Sequence, residues 1–278
     1  MTSGQSLFIP RTPLGDAWVS AIQKAQASAP PRTSGAQRIE IYRDLDAFET
    51  DNQTNKTIIY TGIADFKKAA EINPERNAHC LDSIVSRDLC RLSQAAKSGT
   101  LVADGQRKTI TIKDLGHVDI TIESFIDNFK HSDNSTSLAM YRTLDIQKGD
   151  GGIWPPEIFS FSSGQSLTGG QSDIDLTGRA RFLMHGPYIE LPPGLWTGEL
   201  FFCFDPGNSS PSLVRFDWGD GENFTQEDIE LTDPGNYSMK LSHRWNAASP
   251  AQFRLLLLRP VFHGNLSVVN CKVTFDNN

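Results

Sequence analysis

Apolar residues recur with helical spacing in the first half of the chain. Residues 12–27 form one predicted helix, with Thr12 as its cap, and residues 64–72 and 77–97 form two more. The apolar face of the first helix contains Leu14, Trp18, Ile22 and Ala25. Because a Pro-, Ser- and Gly-rich segment typical of a linker follows it, this helix is a candidate to dock on a neighbouring subunit instead of its own domain.

Short β-type runs are interleaved with these helices. The predicted strands are residues 38–42, 56–63, 118–122 and 143–146, together with two runs in the segment 100–112. Asp104-Gly105 separates those two runs, and this dipeptide favours a type I′ hairpin turn. A short helix is predicted near 124–130. The pattern predicts a helix and linker at 1–36, followed by a small α+β domain at 37–150.

The pattern changes beyond the turn-rich segment 147–156, where Trp154 is an apolar anchor. Helical spacing ends there, and short apolar runs bounded by Gly, Pro, Asn or Asp follow. These runs are residues 179–184, 199–204, 212–218, 237–245, 253–259 and 266–275. Their regular succession predicts an all-β, antiparallel, jelly-roll-like β-sandwich over residues 151–278.

Composition narrows the classes of function. The chain has 278 residues, a formal net charge of −7 and no stripe of Lys and Arg, which argues against nucleic-acid binding. No apolar window approaches the length of a membrane span, so membrane insertion is not expected. The first residues lack the charged and apolar regions of a signal peptide. We therefore expect a location in a virion or released particle, or otherwise in the cytoplasm.

The segment HGPYIELPPGLW at 185–196 carries a family resemblance. Gly-Pro-Tyr, then Leu-Pro-Pro-Gly and an aromatic strand, resembles the opening of β-sandwich domains appended to bacterial glycosyltransferases and polysaccharide-export proteins. Those domains are similar to carbohydrate-binding modules. The Pro-Gly-Asn-Tyr strand at 234–237 and the closing strand after Phe262 belong to the same resemblance. It implies a sandwich that binds polysaccharide, without assigning individual sugar contacts.

A rival resemblance rests on FDWGDGE at 216–222 and DPGNYSMKLS at 233–242. These segments are similar to the Trp-Gly-Asp-Gly and Pro-Gly-x-Tyr signature of PKD-type immunoglobulin-like domains. No His-Thr-Tyr precedes Pro234, and the segment 185–204 is left unexplained. The carbohydrate-module resemblance is therefore favoured, and both imply a β-sandwich.

Motifs of the common enzyme classes are missing from the sequence. It contains no G-x-S-x-G, no P-loop and no G-x-G-x-x-G after a strand. The six histidines form no H-x-H or H-E-x-x-H pair, so no metal or other cofactor is expected. The sequence predicts a protein that is not an enzyme.

Aromatic side chains are the best candidates for contact with a sugar, because a sugar ring can stack on Trp or Tyr while its hydroxyls bond to polar groups. Trp218 and Trp245 lie at strand ends, where a ring can tip into a loop-built site. The predicted carbohydrate-binding residues are Trp218, Asp220, Arg244, Trp245 and Asn246. The alternative for both tryptophans is core packing, which their strand parity with apolar neighbours indicates. Tyr188 and Trp196 are interpreted as packing around the Pro-Pro-Gly turn.

The sequence leaves two further possibilities open, a calcium site and a disulfide bond. Asp217, Asp220 and Glu222 lie in an acidic segment that could supply calcium ligands, although the spacing of a calcium loop is not met. Cys203 and Cys271 are interpreted as buried thiols on the apolar face of two strands, with a disulfide between them as the alternative.

The leading hypothesis is therefore a non-enzymatic glycan-recognition protein. Its sandwich would bind surface or capsular polysaccharide, as part of a homo-oligomer or larger assembly such as a virion-type spike or fibre. One alternative is an accessory or catalytic component of bacterial polysaccharide biosynthesis. Another is a structural sandwich that contacts only protein.

Overall fold

The computed structural model describes residues 5–28, 39–51, 55–71, 81–98, 100–106, 109–112, 118–121, 136–162, 165–168, 171–207 and 211–277. The chain divides into two compact units. Met1–Asn77 and Leu92–Ser135 form the first, and Ala78–Arg91 and Thr136–Asn278 form the second. The second unit thus takes in a segment before residue 92 and residues from 136 onward, whereas the sequence-based boundary lies at 147–156.

A parallel sheet forms the centre of the first unit. Its strands are β1 (Gln5–Phe8), β2 (Ile39–Tyr42), β3 (Asn55–Tyr60) and β4 (Leu101–Asp104), in the order β2-β1-β3-β4. The helices are α1 (Pro13–Ser28), α2 (Leu45–Thr50), α3 (Ile63–Glu71) and α4 (Leu81–Lys97), of which α4 begins in the second unit. β5 (Thr109–Ile112) and β6 (Val118–Thr121) form a separate antiparallel pair. The mixture of helices and strands confirms the predicted α+β character.

Helix α1 packs on its own unit, so the prediction that it docks on a neighbouring subunit is wrong. Trp18 is fully buried in a cluster with apolar side chains of β1, β2 and β3. Its indole Nε1 donates a hydrogen bond to the Gly105 carbonyl at 2.7 Å. The Thr12 hydroxyl accepts a hydrogen bond from the Gly15 amide at 3.1 Å, as a cap residue does.

Three expectations for this half fail or fall outside the described residues. β4 pairs in parallel with β3, while β5 pairs with β6, so the hairpin predicted around Asp104-Gly105 is wrong. Residues 143–146 form no strand. The helix predicted near 124–130 lies outside the described residues. Strand β1, which is central to the sheet, was not predicted because QSLF is too short to show a pattern.

Two antiparallel sheets form the second unit and confirm the predicted β-sandwich. One sheet has the order β16-β13-β18-β10-β9, with β7 also pairing with β18, and is called the β13 sheet. The other has the order β15-β14-β17-β11-β8, with β12 also pairing with β17, and is called the β14 sheet. The strands are β7 (Gly151–Trp154), β8 (Ser160–Phe161), β9 (Gln165–Thr168), β10 (Gln171–Asp175), β11 (Arg181–His185), β12 (Pro187–Leu191), β13 (Gly194–Asp205), β14 (Ser212–Gly219), β15 (Phe224–Leu231), β16 (Gly235–Trp245), β17 (Ser249–Leu257) and β18 (Asn265–Asn277).

Aromatic rings fill the space between the two sheets. The Trp218 ring lies 5.7 Å from that of Trp154 and 5.1 Å from that of Trp245, measured between centroids. A Cβ on Gly198 would lie 3.0 Å from the Trp218 ring, so the glycine makes room for that indole. This packing fixes which face of each strand points inward and which points to solvent.

None of the helices in the described ranges combines the length and apolar character needed to cross a membrane.

Candidate functional site

The two tryptophans predicted to bind carbohydrate lie in the core. Trp218 is 0% exposed and Trp245 is 1% exposed. The Trp218 Nε1 donates to the Trp196 carbonyl at 3.0 Å, whereas Nε1 of Trp245 has no hydrogen-bond partner among the described residues. Neither ring offers a face on which a sugar could stack. The core-packing alternative, indicated by strand parity, is the arrangement that the structure has.

The three predicted polar partners do not gather around an exposed ring. Asp220 lies in the turn between β14 and β15, where its Oδ1 accepts hydrogen bonds from the amides of Glu222 and Asn223 at 3.2 and 2.8 Å. Arg244 is exposed on β16, on the face opposite its neighbour Trp245, and Asn246 is exposed after that strand. Sugar contact by these three residues stays a prediction, now without an aromatic platform.

Two carboxylates of the acidic segment are engaged in contacts within the protein. Asp217 is ion-paired with Arg254, and Asp220 holds the backbone of the turn. Within the part of the chain that the structure describes, no three His, Cys, Asp or Glu side chains are grouped as ligands of a metal ion would be. The calcium alternative therefore gains no support from this segment.

Cys203 and Cys271 point to opposite faces of the β13 sheet. Cys271 is fully buried, and burial raises the pKa of its thiol well above the usual value. Cys203 points outward, and its Sγ donates to Oδ1 of Asn236 at 2.8 Å. Both thiols are free, so the disulfide alternative is wrong, as is the prediction that Cys203 lies on the apolar face. The reason is strand register, since side chains on opposite faces of a sheet cannot reach each other.

The outer face of the β14 sheet carries a different cluster, which we call the Arg254 face. Its members are Phe182, His185, Tyr188, Phe224 and Arg254. They come from four strands, β11, β12, β15 and β17, and strand pairing brings them together above Asp217 of β14. Phe182 is 49% exposed and Tyr188 is 38% exposed, so both rings are accessible from solvent.

Arg254 is held in place from two sides. Its Nε and Nη2 donate to Oδ2 of Asp217 at 3.0 and 2.6 Å. Its guanidinium carbon lies 3.4 Å from the centroid of the Phe224 ring and 5.8 Å from that of Phe182. Cation–π contact of this kind contributes up to about 2 kcal/mol when it is shielded from water. The guanidinium is therefore fixed at the surface before any ligand arrives.

His185 and Tyr188 form a second fixed pair. Nδ1 of His185 and the Tyr188 hydroxyl are 2.8 Å apart, and their rings meet edge to face at 6.0 Å. Tyr188 has φ of 67°, in the left-handed region that non-glycine residues rarely occupy. The Ser83 hydroxyl donates to the Tyr188 carbonyl at 2.8 Å and so supports this backbone conformation. Backbone strain of about 1–3 kcal/mol is typically found at binding and catalytic sites.

The pKa of His185 depends on its burial and on the charge of Arg254. Burial lowers the pKa of His185 below its usual value, and the positive charge of Arg254 lowers it further. His185 is thus neutral at pH 7. The hydrogen bond between Nδ1 and the Tyr188 hydroxyl can run in either direction, so Nε2 of the neutral imidazole is a donor in one tautomer and an acceptor in the other.

Sequence reasoning missed this face, although one signal was present. The Gly-Pro-Tyr segment at 186–188 carries the family resemblance, but its sequence context predicts that Tyr188 packs around the next turn. That interpretation is right for Trp196, which is fully buried, and wrong for Tyr188. Strand parity could not place Phe182 or Tyr188 because the pairing of β17 with β11 and with β12 is irregular, with register shifts beside both residues.

No family model and no curated protein matches this chain. Among solved structures, the CBM22-1 xylan-binding domain of Xyn10C from Paenibacillus barcinonensis aligns at 10% identity and a TM-score of 0.33, covering 48% of this chain and 98% of that domain. The C-terminal CBM6 of LamC from Zobellia galactanivorans aligns at 15% identity and a TM-score of 0.31, covering 45% and 98%. TmCBM61, solved with β-1,4-galactotriose, aligns at 9% identity and a TM-score of 0.29, covering 45% and 88%. These values describe a distant likeness, and the function proposed below depends on the Arg254 face itself.

Proposed function

We propose that the β-sandwich binds a glycan on the Arg254 face. The observation that carries this proposal is the placement of two solvent-exposed aromatic rings, Phe182 and Tyr188, beside the donors of Arg254 and His185. An aromatic ring stacks on the apolar C–H face of a sugar, while guanidinium and imidazole N–H groups donate to its hydroxyls. Both kinds of group are needed for a sugar, and both lie on one sheet face.

Pre-organisation supports binding at this face. Binding free energy is lost when flexible side chains must be ordered, by about 0.5–1.5 kcal/mol for each long side chain. Arg254 is already ordered by Asp217 and Phe224, and Tyr188 by His185. A ligand would therefore meet donors and rings that already have fixed positions.

Two carboxylates of the β14 sheet, Asp217 and Asp228, are engaged in ion pairs. Glycoside hydrolysis needs one carboxylic acid that donates a proton and a second carboxylate. Asp217 is ion-paired with Arg254, and Asp228 with Arg215 at 2.6 Å. The hydrogen bond from Arg215 lowers the pKa of Asp228, so this group is ionised at neutral pH and is a poor proton donor. Because the sequence also lacks the motifs of the common enzyme classes, we propose a binding protein that is not an enzyme.

The test is a glycan array probed with the full chain and with Phe182→Ala and Tyr188→Ala. Phe262→Ala is the matched control, because Phe262 is 82% exposed and lies in the loop after β17, outside the Arg254 face. We expect selective glycan binding that both face variants lose and the control keeps, with unchanged circular dichroism for all. Binding that survives both face variants would contradict this location. No binding to any glycan would contradict the function.

The wider role is proposed at the level of the assembly. We propose that the chain forms a homo-oligomer or larger assembly, such as a virion-type spike or fibre, that engages bacterial surface or capsular polysaccharide. Light scattering of the purified chain, and its binding to encapsulated cells compared with capsule-free cells, test this role. An oligomer that survives dilution and binds no glycan would favour the structural module instead. Turnover of a nucleotide sugar would favour a component of polysaccharide biosynthesis.

A further inference from the structure

The Arg254–Asp217 ion pair is oriented with its cation toward solvent. The side chain of Arg254 is 22% exposed, whereas that of Asp217 is 1% exposed. Both hydrogen bonds of the pair end on the same carboxylate oxygen, Oδ2. A ligand approaching the sheet therefore meets the guanidinium first, with the carboxylate behind it.

Part of the guanidinium has no partner among the residues that the structure describes. Nε and Nη2 of Arg254 bond to Asp217, but Nη1 makes no hydrogen bond to any residue in the described ranges. Two N–H groups of Nη1, and the second N–H of Nη2 beside them, thus remain for a ligand. Adjacent N–H groups on the two terminal nitrogens of arginine match the two oxygens of a carboxylate.

His185 lies near the charge of Arg254. Burial lowers the pKa of His185, and the positive charge of Arg254 lowers it further. In the tautomer that carries its proton on Nε2, the imidazole adds a neutral N–H donor to those of Arg254.

Two other carboxylates of this sheet, Asp228 and Glu190, lie near arginines. Asp228 of β15 is bound by Arg215 of β14 through two hydrogen bonds, at 2.6 and 2.9 Å. Burial raises the pKa of Glu190, two residues after Tyr188 on β12, and the charge of Arg87 of α4 acts in the opposite direction. The chain as a whole carries −7, but charges farther away than about 8 Å are largely screened at physiological salt. The local charges decide what binds here.

We propose that the Arg254 face selects glycans whose sugars carry a carboxylate, as hexuronates do, over neutral glycans of the same linkage. This inference rests on the proposed glycan binding and adds the chemical class of the ligand. The sugar ring would stack on Tyr188 or Phe182, and its carboxylate would accept hydrogen bonds from Arg254 and His185. A charge-assisted bond is about twice as strong as a neutral one, so the acidic form gains roughly tenfold in affinity.

The test uses polymer pairs that differ only at the carboxyl group. Polygalacturonate, alginate and hyaluronan are each compared with their carboxyl-reduced forms, which keep the linkages and lose the charge. Binding of the full chain is measured by biolayer interferometry at low and physiological salt. We expect at least one acidic polymer to bind about tenfold more tightly than its reduced partner, with a preference that weakens as salt rises.

Two variants distinguish the effect of the positive charge from the effect of side-chain geometry. Arg254→Lys keeps the charge opposite Asp217 and removes the planar guanidinium, and His185→Gln keeps a polar partner for Tyr188. We expect each to weaken binding of the acidic polymer more than binding of its reduced form, so that the preference for the carboxylate falls. Arg244→Gln is the matched control, because it removes an exposed arginine from the β13 sheet without touching the Arg254 face.

The possible results distinguish this inference from the proposed function. Equal binding of the acidic and reduced polymers would overturn carboxylate selection and leave glycan binding intact. An acidic preference that Arg244→Gln removes, and that Arg254→Lys and His185→Gln do not, would show a general charge effect and overturn the assignment to this face. Failure of every polymer and every array glycan to bind would overturn both proposals.

Discussion

Replacing Arg254 alone should destabilise the second unit more than replacing Arg254 and Asp217 together. Asp217 is 1% exposed, and both hydrogen bonds to its carboxylate come from Arg254. In Arg254→Leu, an ionised carboxylate would stay buried without its cation. Removal of one member of a buried ion pair costs about 3–5 kcal/mol. Loss of the contact between the guanidinium and the Phe224 ring adds to this cost.

The double variant Arg254→Leu with Asp217→Leu removes the buried charge as well. Apolar replacement of a whole buried pair is often neutral or stabilising. Oδ1 of Asp217 has no hydrogen-bond partner among the described residues, so the natural pair compensates the buried carboxylate only in part. We therefore expect the double variant to lie within about 1 kcal/mol of the natural protein, well above the single variant.

Urea unfolding followed by tryptophan fluorescence measures this difference. Four of the five tryptophans lie in the second unit, so the signal reports mainly on the sandwich. Arg244→Leu, an exposed arginine on β16, is the control and should change the free energy of unfolding by no more than about 0.5 kcal/mol. The reasoning is refuted if Arg254→Leu costs less than about 1 kcal/mol, or if the double variant is as unstable as the single one.

Three further predictions test the core and the first unit. Trp218→Ala should cost about 3–5 kcal/mol in the same urea assay because it empties a buried site, whereas Tyr188→Ala should cost far less; similar losses would contradict the assignment of core and surface. Gly198→Ala should cost about 1–3 kcal/mol, because its Cβ would meet the rings of Trp218 and Phe253 at 3.0 and 3.2 Å, and an unchanged midpoint would contradict this contact. Burial raises the pKa of Asp65 in the folded protein above its value in the unfolded chain. The contribution of Asp65 to the free energy of unfolding is therefore fully present below the unfolded pKa, and it is lost as the pH rises through the folded pKa. Asp65→Asn should therefore become more stable relative to the natural protein as the pH rises from 4 to 7. Urea unfolding across that range measures the difference in the free energy of unfolding. A difference that does not change with pH would show that Asp65 stays uncharged.

Local patterns in the sequence determined most of the fold. Helical spacing located α1 and α3, and runs bounded by turn residues located the long strands of the sandwich, because these signals depend only on neighbouring residues. The parity of Trp218 and Trp245 with apolar neighbours also indicated their burial, since side chains alternate across a strand. Short elements escaped detection, as β1 shows, because four residues are too few to establish a period.

Tertiary structure alone decided the parallel pairing of β1 to β4 and the composition of the Arg254 face. Asp217 and Arg254 are far apart in sequence and meet because β14 and β17 pair in one register. Phe182 and Tyr188 lie beside register shifts in the pairing with β17, so no period could show which of them faces solvent. A strand's own sequence determines that it has an apolar face, but the register of its neighbours determines which polar and aromatic groups meet on the other face.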